Sequence, residues 1–320
     1  MLNVTEEFVI NAEELRYTYN DRQYAVDGAS FGVRKGEIFG FLGRNGAGKT
    51  TTIKVLTTLV KPTSGKVEVL GTDVRTGGKA LRRRIGVVLQ DDSFDFTTVE
   101  KALDIYGALW GIGREQRKSR TEELLDFFEL KEERRKRLWD LSGGQRRRVQ
   151  VAREFMHDME LLFLDEPTVG LDTVTRRKIL DMVKGRAAEG LTVFFTTHNL
   201  EEADYICDRV AIIDRGRILA DDTVSMLKRR YSGYKTVEAS FGEEQSVIET
   251  ALACLDGVRI EKPAGPGEPF RIVGNEPEET LRRIVDLTLK NGLHLNWLNV
   301  HPVTLEEVFL HTVKESVEAS

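Results

Sequence analysis

Residues 43–51 read GRNGAGKTT, and the rest of the chain is arranged about them. The stretch fits G-x-x-x-x-G-K-[ST], with Gly43, Gly48, Lys49 and Thr50 in the fixed places. A triphosphate needs several donors converging in a small space. Backbone N–H groups supply them where no Cβ blocks the approach, which Gly43, Gly46 and Gly48 allow. The positive end of a following helix adds attraction. Lys49 can reach the outer phosphates, and the Thr50 hydroxyl can ligate Mg²⁺. The flanks suit this reading. Ile38 to Leu42 is an apolar run expected as a buried strand, and Thr51 to Leu59 is expected as a short helix closed by Lys61-Pro62 and Gly65.

The 320 residues allow two or three domains with ample core, and 40% hydrophobic with 31% charged content suits a globular protein. A net charge of −5 argues against a dedicated nucleic-acid binder. Basic clusters at Arg82–Arg84, Arg134–Arg137, Arg146–Arg148 and Lys228–Arg230 are read as solvated helix faces. Cys207 and Cys254 lack metal spacing and are expected as small core fillers in a reduced, intracellular setting. The N-terminal stretch has no apolar core of signal-peptide length, and no run approaches the length of a bilayer span. Any link to a membrane is therefore expected through a partner.

Ahead of residue 37 a small β region is expected. Tyr19 lies in it, and an aromatic there can stack on an adenine base. On the residues alone the reading as an ordinary strand tyrosine is preferred, with Tyr17 and Tyr24 as competitors for any stacking role. Downstream, apolar strands end repeatedly in polar residues. Ile85 to Leu89 is followed by Gln90 and Asp91-Asp92, Leu161 to Leu164 by Asp165-Glu166, and Thr192 to Thr197 by His198. In an α/β sheet that edge is where ligands sit. Two adjacent carboxylates after a core strand are costly unless used. Asp165 suits an Mg²⁺ shell, and Glu166 suits activation of an attacking water. Between these strands, Thr97–Leu109 and Gln116–Leu130 show helical spacing, with Leu124, Leu125, Phe127, Phe128 and Leu130 as one stripe. Leu141 to Gln145 reads LSGGQ and opens a second helix; on these five residues alone it reads equally as a second candidate phosphate grip through exposed N–H groups and as a plain glycine-containing helix cap. Asp172 is expected to cap a helix from Thr173 to about Ala188.

Beyond residue 230 the composition shifts, with Tyr231-Ser232-Gly233 as a plausible linker. The remainder reads β-α-β-β-α-β, the ferredoxin-like order, and carries no catalytic constellation. It is expected to be a structural module; a regulatory-ligand site and an extension of a dimer are the other readings.

In order, GRNGAGKT, Gln90, LSGGQ, LLFLDE, Gly170-Leu171-Asp172 and His198 resemble the ATP-binding subunit of an ABC transporter over about the first two-thirds of the chain. FGFLGRNGAGKTT, LLFLDEPTVGLD and TLEEVFLH resemble the subgroup serving ABC-2-type and drug-resistance exporters. Arg44 stands where proline is usual and Thr50 where serine is commoner; neither removes a required group. Residues 137–140 (RLWD) fit the family only loosely.

The resemblance implies an α/β P-loop NTPase core of ABC type in residues 1–230, made of a mixed sheet with helices, a β subdomain and a helical subdomain near 92–155, followed by a ferredoxin-like α+β domain in 231–320. It implies that Gly43, Arg44, Asn45, Gly46, Ala47, Gly48, Lys49, Thr50 and Thr51 hold the phosphates of ATP, with Tyr19 on the adenine and Gln90 at the nucleotide. Thr50, Gln90 and Asp165 complete the Mg²⁺ site. Glu166 polarises the water and His198 steadies the γ-phosphate. Ser142, Gly143, Gly144 and Gln145 act in trans on ATP held by the opposite copy, with Asp172 at the seam. The implied partners are a second copy and separate integral membrane permease subunits, with no nucleic acid. The implied place is the cytoplasmic, inner face of the cell membrane. A soluble ATPase of the same family acting on ribosomes or DNA is the alternative.

Overall fold

The computed structural model describes residues 8–20, 23–90, 97–231, 236–255, 257–261, 263, 265, 268–274, 277–301 and 303–318. Asp91-Asp92, Ser232-Gly233 and parts of the 263–269 loop lie outside the described residues. The chain divides between Asp222 and Thr223 into two compact units.

The first unit runs β1 (Phe8–Thr18), β2 (Tyr24–Arg34), β3 (Ile38–Leu42), α1 (Lys49–Leu56), β4 (Ser64–Val69), β5 (Thr72–Asp73), α2 (Gly78–Arg82), β6 (Ile85–Val88), α3 (Val99–Leu109), α4 (Arg114–Phe127), a 3₁₀ turn (Leu138–Asp140), α5 (Gly143–Glu154), β7 (Leu161–Asp165), α6 (Thr173–Ala188), β8 (Thr192–Thr197), α7 (Leu200–Ile206), β9 (Arg209–Asp214) and β10 (Arg217–Thr223). One sheet has the order β2-β1-β4-β5, with antiparallel neighbours; the other has the order β10-β9-β3-β8-β7-β6. From β9 to β6 the neighbours are parallel, so β3, β6, β7 and β8 present their C-terminal ends along one edge.

β3, β7 and β8 are buried on both faces, which is why they read as continuous apolar runs rather than alternations. An aromatic cluster closes the space between the sheets. Phe31 of β2 lies 6.0 Å from Phe39 and 5.3 Å from Phe41, and Phe194 packs against all three. The edge is thereby held on a rigid base. The helical insertion α3–α5 has its own devices. Thr98 caps α3, and Arg134 ties Glu100 and Glu122 together. In the expected apolar stripe Leu124, Leu125, Phe128 and Leu130 are buried, but Phe127 is 50% exposed. It is the stripe's outlier because the helix ends there and the chain turns at Phe128.

The second unit runs α8 (Val224–Arg230), β11 (Thr236–Phe241), α9 (Gln245–Leu252), β12 (Val258–Glu261), β13 (Phe270–Gly274), α10 (Pro277–Asn291), β14 (Leu295–His301) and α11 (Leu305–Glu318). Its sheet order is β12-β13-β11-β14 with antiparallel neighbours throughout, the ferredoxin-like arrangement. Tyr231, placed in a linker by the sequence, is a core residue instead. Its ring stacks on His311, and its hydroxyl meets Thr312 and Glu315 of α11 at 3.3 and 3.0 Å. Cys207 is buried as expected, whereas Cys254 is exposed at the end of α9.

Candidate functional site

The loop after β3 is shaped by two glycines with distinct reasons. A Cβ on Gly43 would lie 2.4 Å from the Ile213 carbonyl oxygen of β9. Gly48 has φ +112 and would place a Cβ 2.5 Å from the Ala25 carbonyl oxygen. Between them the loop crosses the sheet edge with Arg44, Asn45 and Gly46 exposed, while the Ala47 carbonyl is held by the Gly216 N–H at 2.9 Å. α1 begins at Lys49, two residues earlier than the sequence reading had it.

Lys49 is buried and bends back over the loop. Its ammonium donates to the Gly43 carbonyl at 2.7 Å and the Arg44 carbonyl at 3.3 Å, and lies 3.5 Å from Glu166 Oε1. The Thr50 hydroxyl donates to Asp165 Oδ2 at 2.8 Å. The other Asp165 oxygen accepts from the Thr196 hydroxyl at 2.6 Å. Glu166 Oε2 meets His198 Nδ1 at 2.9 Å. Ends of three strands thus bring the loop, two carboxylates and the imidazole into one hydrogen-bonded group. Asp165 is fully buried and Glu166 nearly so, whereas His198 is exposed. Tyr19 is 61% exposed, its ring edge-on to Tyr17, with its hydroxyl 3.2 Å from Thr51 Oγ1. Gln90 follows β6 on the same edge and is exposed.

These donors fit a magnesium nucleotide. Among the described residues no group of three or more His, Cys, Asp and Glu side chains forms an all-protein metal site. What stands here instead is a hydroxyl paired with one buried carboxylate, beside a lysine whose ammonium has only carbonyls and a carboxylate to satisfy it. That set suits a metal that takes the remainder of its shell from phosphate oxygens and water.

A second group is built at the start of α5. Ser142 caps it: its hydroxyl accepts from the Gln145 N–H at 3.2 Å, and Gln145 Oε1 accepts from the Ser142 N–H at 3.0 Å. Glu133 holds the Gln145 amide from the side at 2.8 Å. Ser142 and Gly143 are exposed, and Gly144 faces the Gly170-Leu171 turn, where a Cβ would come within 3.4 Å of Leu171. Asp172 follows and caps α6, accepting from the Val174 and Thr175 N–H groups at 3.0 Å each. The Thr175 hydrogen bonds hold its carboxyl below the usual range. Residues 142–145 and Asp172 are therefore neighbours.

The family model for ABC transporters matches residues 26–169. The chain is 36% identical over 297 residues to the daunorubicin resistance ATP-binding protein DrrA3 of Streptomyces coeruleorubidus, covering 92% of each. The chain belongs to the ABC transporter ATP-binding proteins. It is also similar to the Nod factor export ATP-binding protein I of Ralstonia nicotianae, at 35% identity over 304 residues, 94% of this chain and 92% of that one. Among solved structures, an ATP-binding subunit of an ABC transporter superposes with a TM-score of 0.65 at 26% identity, over 70% of this chain and 93% of that one. A dimeric bacterial ABC transporter cassette does so with a TM-score of 0.63 at 25% identity, over 67% and 98%.

For this ABC ATP-binding protein, sequence reasoning missed three supporting side chains. Thr196 holds Asp165. Glu202, 5% exposed, accepts from the Thr168 hydroxyl at 2.7 Å and the Thr197 hydroxyl at 3.1 Å, joining the loop after β7 to the end of β8. Arg147 was placed on a solvated face with its neighbours; it is 6% exposed and lies against the backbone after Leu164 and at Leu89. Helical phase carried the signal, since Arg147 shares the face of Val151, four residues on.

Proposed function

We propose that this chain is the ATP-binding and ATP-hydrolysing subunit of an exporter, working as a head-to-tail pair of copies on a separate membrane permease. One observation carries the reading: the Lys49 ammonium, the Thr50 hydroxyl, Asp165, Glu166 and His198 form a single bonded group at the mouth of a phosphate-gripping loop.

Loop N–H groups and Lys49 bind the β- and γ-phosphates, with Tyr19 against the base. Lys49 then exchanges the Gly43 and Arg44 carbonyls for phosphate oxygens. Thr50, Asp165 and Gln90 would hold Mg²⁺, which when bound would supply positive charge against the charge that develops on the phosphates. Glu166 accepts the proton of the attacking water, and His198 orients Glu166 and the γ-phosphate. Ser142 to Gln145, exposed at a helix N-terminus beside Asp172, grip the nucleotide of the opposite copy. ATP contacts made only in the closed pair shift the population toward it, and hydrolysis releases it.

No helix among the described residues is long and apolar enough to cross a membrane. In this reading the chain works at the inner face of the membrane through its permease, docking by the surface between Gln90 and Leu109. One named relative is a daunorubicin resistance protein and the other a Nod factor export protein, and the second supports the export direction here. The test is a pull-down of tagged Glu166→Gln with ATP and Mg²⁺ from detergent-solubilised cells of the native source. Co-recovery of a polytopic membrane protein is the expected result. Recovery of ribosomes or DNA-bound proteins alone overturns the exporter reading in favour of a soluble ATPase.

A further inference from the structure

We infer that Arg147 is a positioning residue through which the nucleotide gripped in trans controls the hydrolytic carboxylate in cis. This rests on the ATPase reading above and deepens it. Arg147 lies on α5, five residues from the Ser142 cap and so little more than one turn from the exposed grip. Its guanidinium is buried and donates in several directions. Nε meets the Pro167 carbonyl at 3.0 Å. Nη2 meets the Asp165 and Glu166 carbonyls at 2.8 and 2.9 Å. Nη1 meets the Leu89 carbonyl at 2.6 Å and Gln150 Oε1 at 2.9 Å.

Three consecutive carbonyl oxygens, 165 to 167, therefore converge on one cation. Aligned carbonyls repel unless a positive group sits at their focus, and only a planar five-donor fork meets this arrangement; an ammonium has three donors at tetrahedral angles. The arrangement has a consequence for Glu166. Its backbone takes φ +50, which a side-chain-bearing residue adopts only when its surroundings impose it. Arg147 is one of those surroundings: it holds the Glu166 carbonyl while the Thr196 carbonyl takes the Glu166 N–H at 3.0 Å. With both backbone groups fixed, the carboxylate is directed toward Lys49 and His198. The Leu89 contact adds the residue next to Gln90.

One rigid helix thus carries the trans grip at its tip and, on its second turn, the fork that sets the cis carboxylate and the Gln90 strand end. A tilt of α5 on gripping nucleotide moves the backbone of Glu166 directly. Two sites linked through one such element report each other's occupancy.

The experiment uses the full chain, measuring Mg·ATP affinity and steady-state turnover for Arg147→Lys and Arg147→Gln. Arg148→Gln is the control, since Arg148 on the same helix donates to the Phe128 and Glu129 carbonyls, outside the site. We expect kcat to fall about 100-fold in both Arg147 variants with Kd for ATP nearly unchanged, as for a misplaced catalytic group, and Arg148→Gln to change neither. Ser142→Ala lowers kcat in the wild-type chain; in the Arg147→Lys background it causes a clearly smaller loss, because part of the grip's effect runs through the fork. Thermal melting of each variant separates lost folding from lost positioning, and Arg147→Lys retains the buried charge. Near-wild-type turnover of a folded Arg147→Lys chain, or losses from Ser142→Ala and Arg147→Lys that multiply, overturns the inference. Absence of ATP turnover in the wild-type chain instead overturns the ATPase reading itself.

Discussion

Lys49 Nζ stands 3.5 Å from Glu166 Oε1, with the two side chains 6% and 8% exposed. The ammonium of the phosphate loop and the carboxylate after β7 neutralise one another in a nearly dry site. Removing the lysine leaves Glu166 with only His198 to face it and deprives a triphosphate of its one buried cation in the loop. Lys49→Ala should therefore weaken ATP binding by at least about tenfold, which corresponds to ~1.4 kcal/mol. Isothermal titration with Mg·ATP measures this, and an unchanged Kd removes Lys49 from the binding site.

Glu166 and His198 separate by a different pair of measurements. The Glu166 carboxylate lies 2.9 Å from His198 Nδ1, so in the proposed mechanism the imidazole acts on the water through the carboxylate as well as on the phosphate. Glu166→Gln keeps the shape and loses the base. Its turnover should fall by about 10²–10⁴-fold, the usual worth of a general base, with ATP binding retained. His198→Ala should also lose turnover, and adding it to Glu166→Gln should cost little more, because the two act as a unit. A Glu166→Gln chain with near-normal phosphate release would assign the base elsewhere.

The Thr50 hydroxyl, 2.8 Å from Asp165, gives a prediction about metal dependence. Thr50→Ser keeps the oxygen and should keep the Mg²⁺ dependence of turnover. Thr50→Val is nearly isosteric, removes the oxygen and leaves Asp165 one partner short. It should raise the Mg²⁺ concentration for half-maximal turnover by about tenfold or more, the scale on which altered metal ligation acts. Equal Mg²⁺ profiles for the Val and Ser variants would take Thr50 out of the metal shell.

Much of this site was legible because its chemistry is local in sequence. Four apolar runs end at one edge, and the polar residues that follow three of them mark that edge without knowledge of strand order. The caps at Ser142 and Asp172 were legible for the same reason, since a cap is a contact within three residues. Residues whose role is long-range were not. Arg147 sits in a run of three arginines, and only the fold brings Leu89, Asp165, Glu166 and Pro167 to one of them. Glu202 has the composition of a surface helix, and its burial depends on Thr168 and Thr197 meeting it from two separate loops. Tyr231 resembled a linker residue because its partners, Thr312 and Glu315, lie some eighty positions away.

Glu154, the last residue of α5, supplies a prediction about pH. It is 1% exposed and accepts from the Tyr106 hydroxyl at 2.7 Å and the Val87 N–H at 3.2 Å. Burial pushes its carboxyl above the ordinary value of 4.5, and the hydrogen bonds from Tyr106, Val87 and Arg153 only partly offset this. In the unfolded chain the group ionises near the ordinary value, so as pH rises past 4.5 the unfolded state releases its proton first. Folding stability contributed by this group therefore falls with rising pH until the folded carboxyl has also ionised, and is level above that. Glu154→Gln removes the titration. Comparing melting temperatures of the two chains from pH 4.5 upward isolates this group, because all other titrations cancel. The difference should move in favour of the variant as pH rises, then become constant. A difference that stays flat, or moves toward the wild type, shows that Glu154 is held in its charged form by the hydrogen bonds around it.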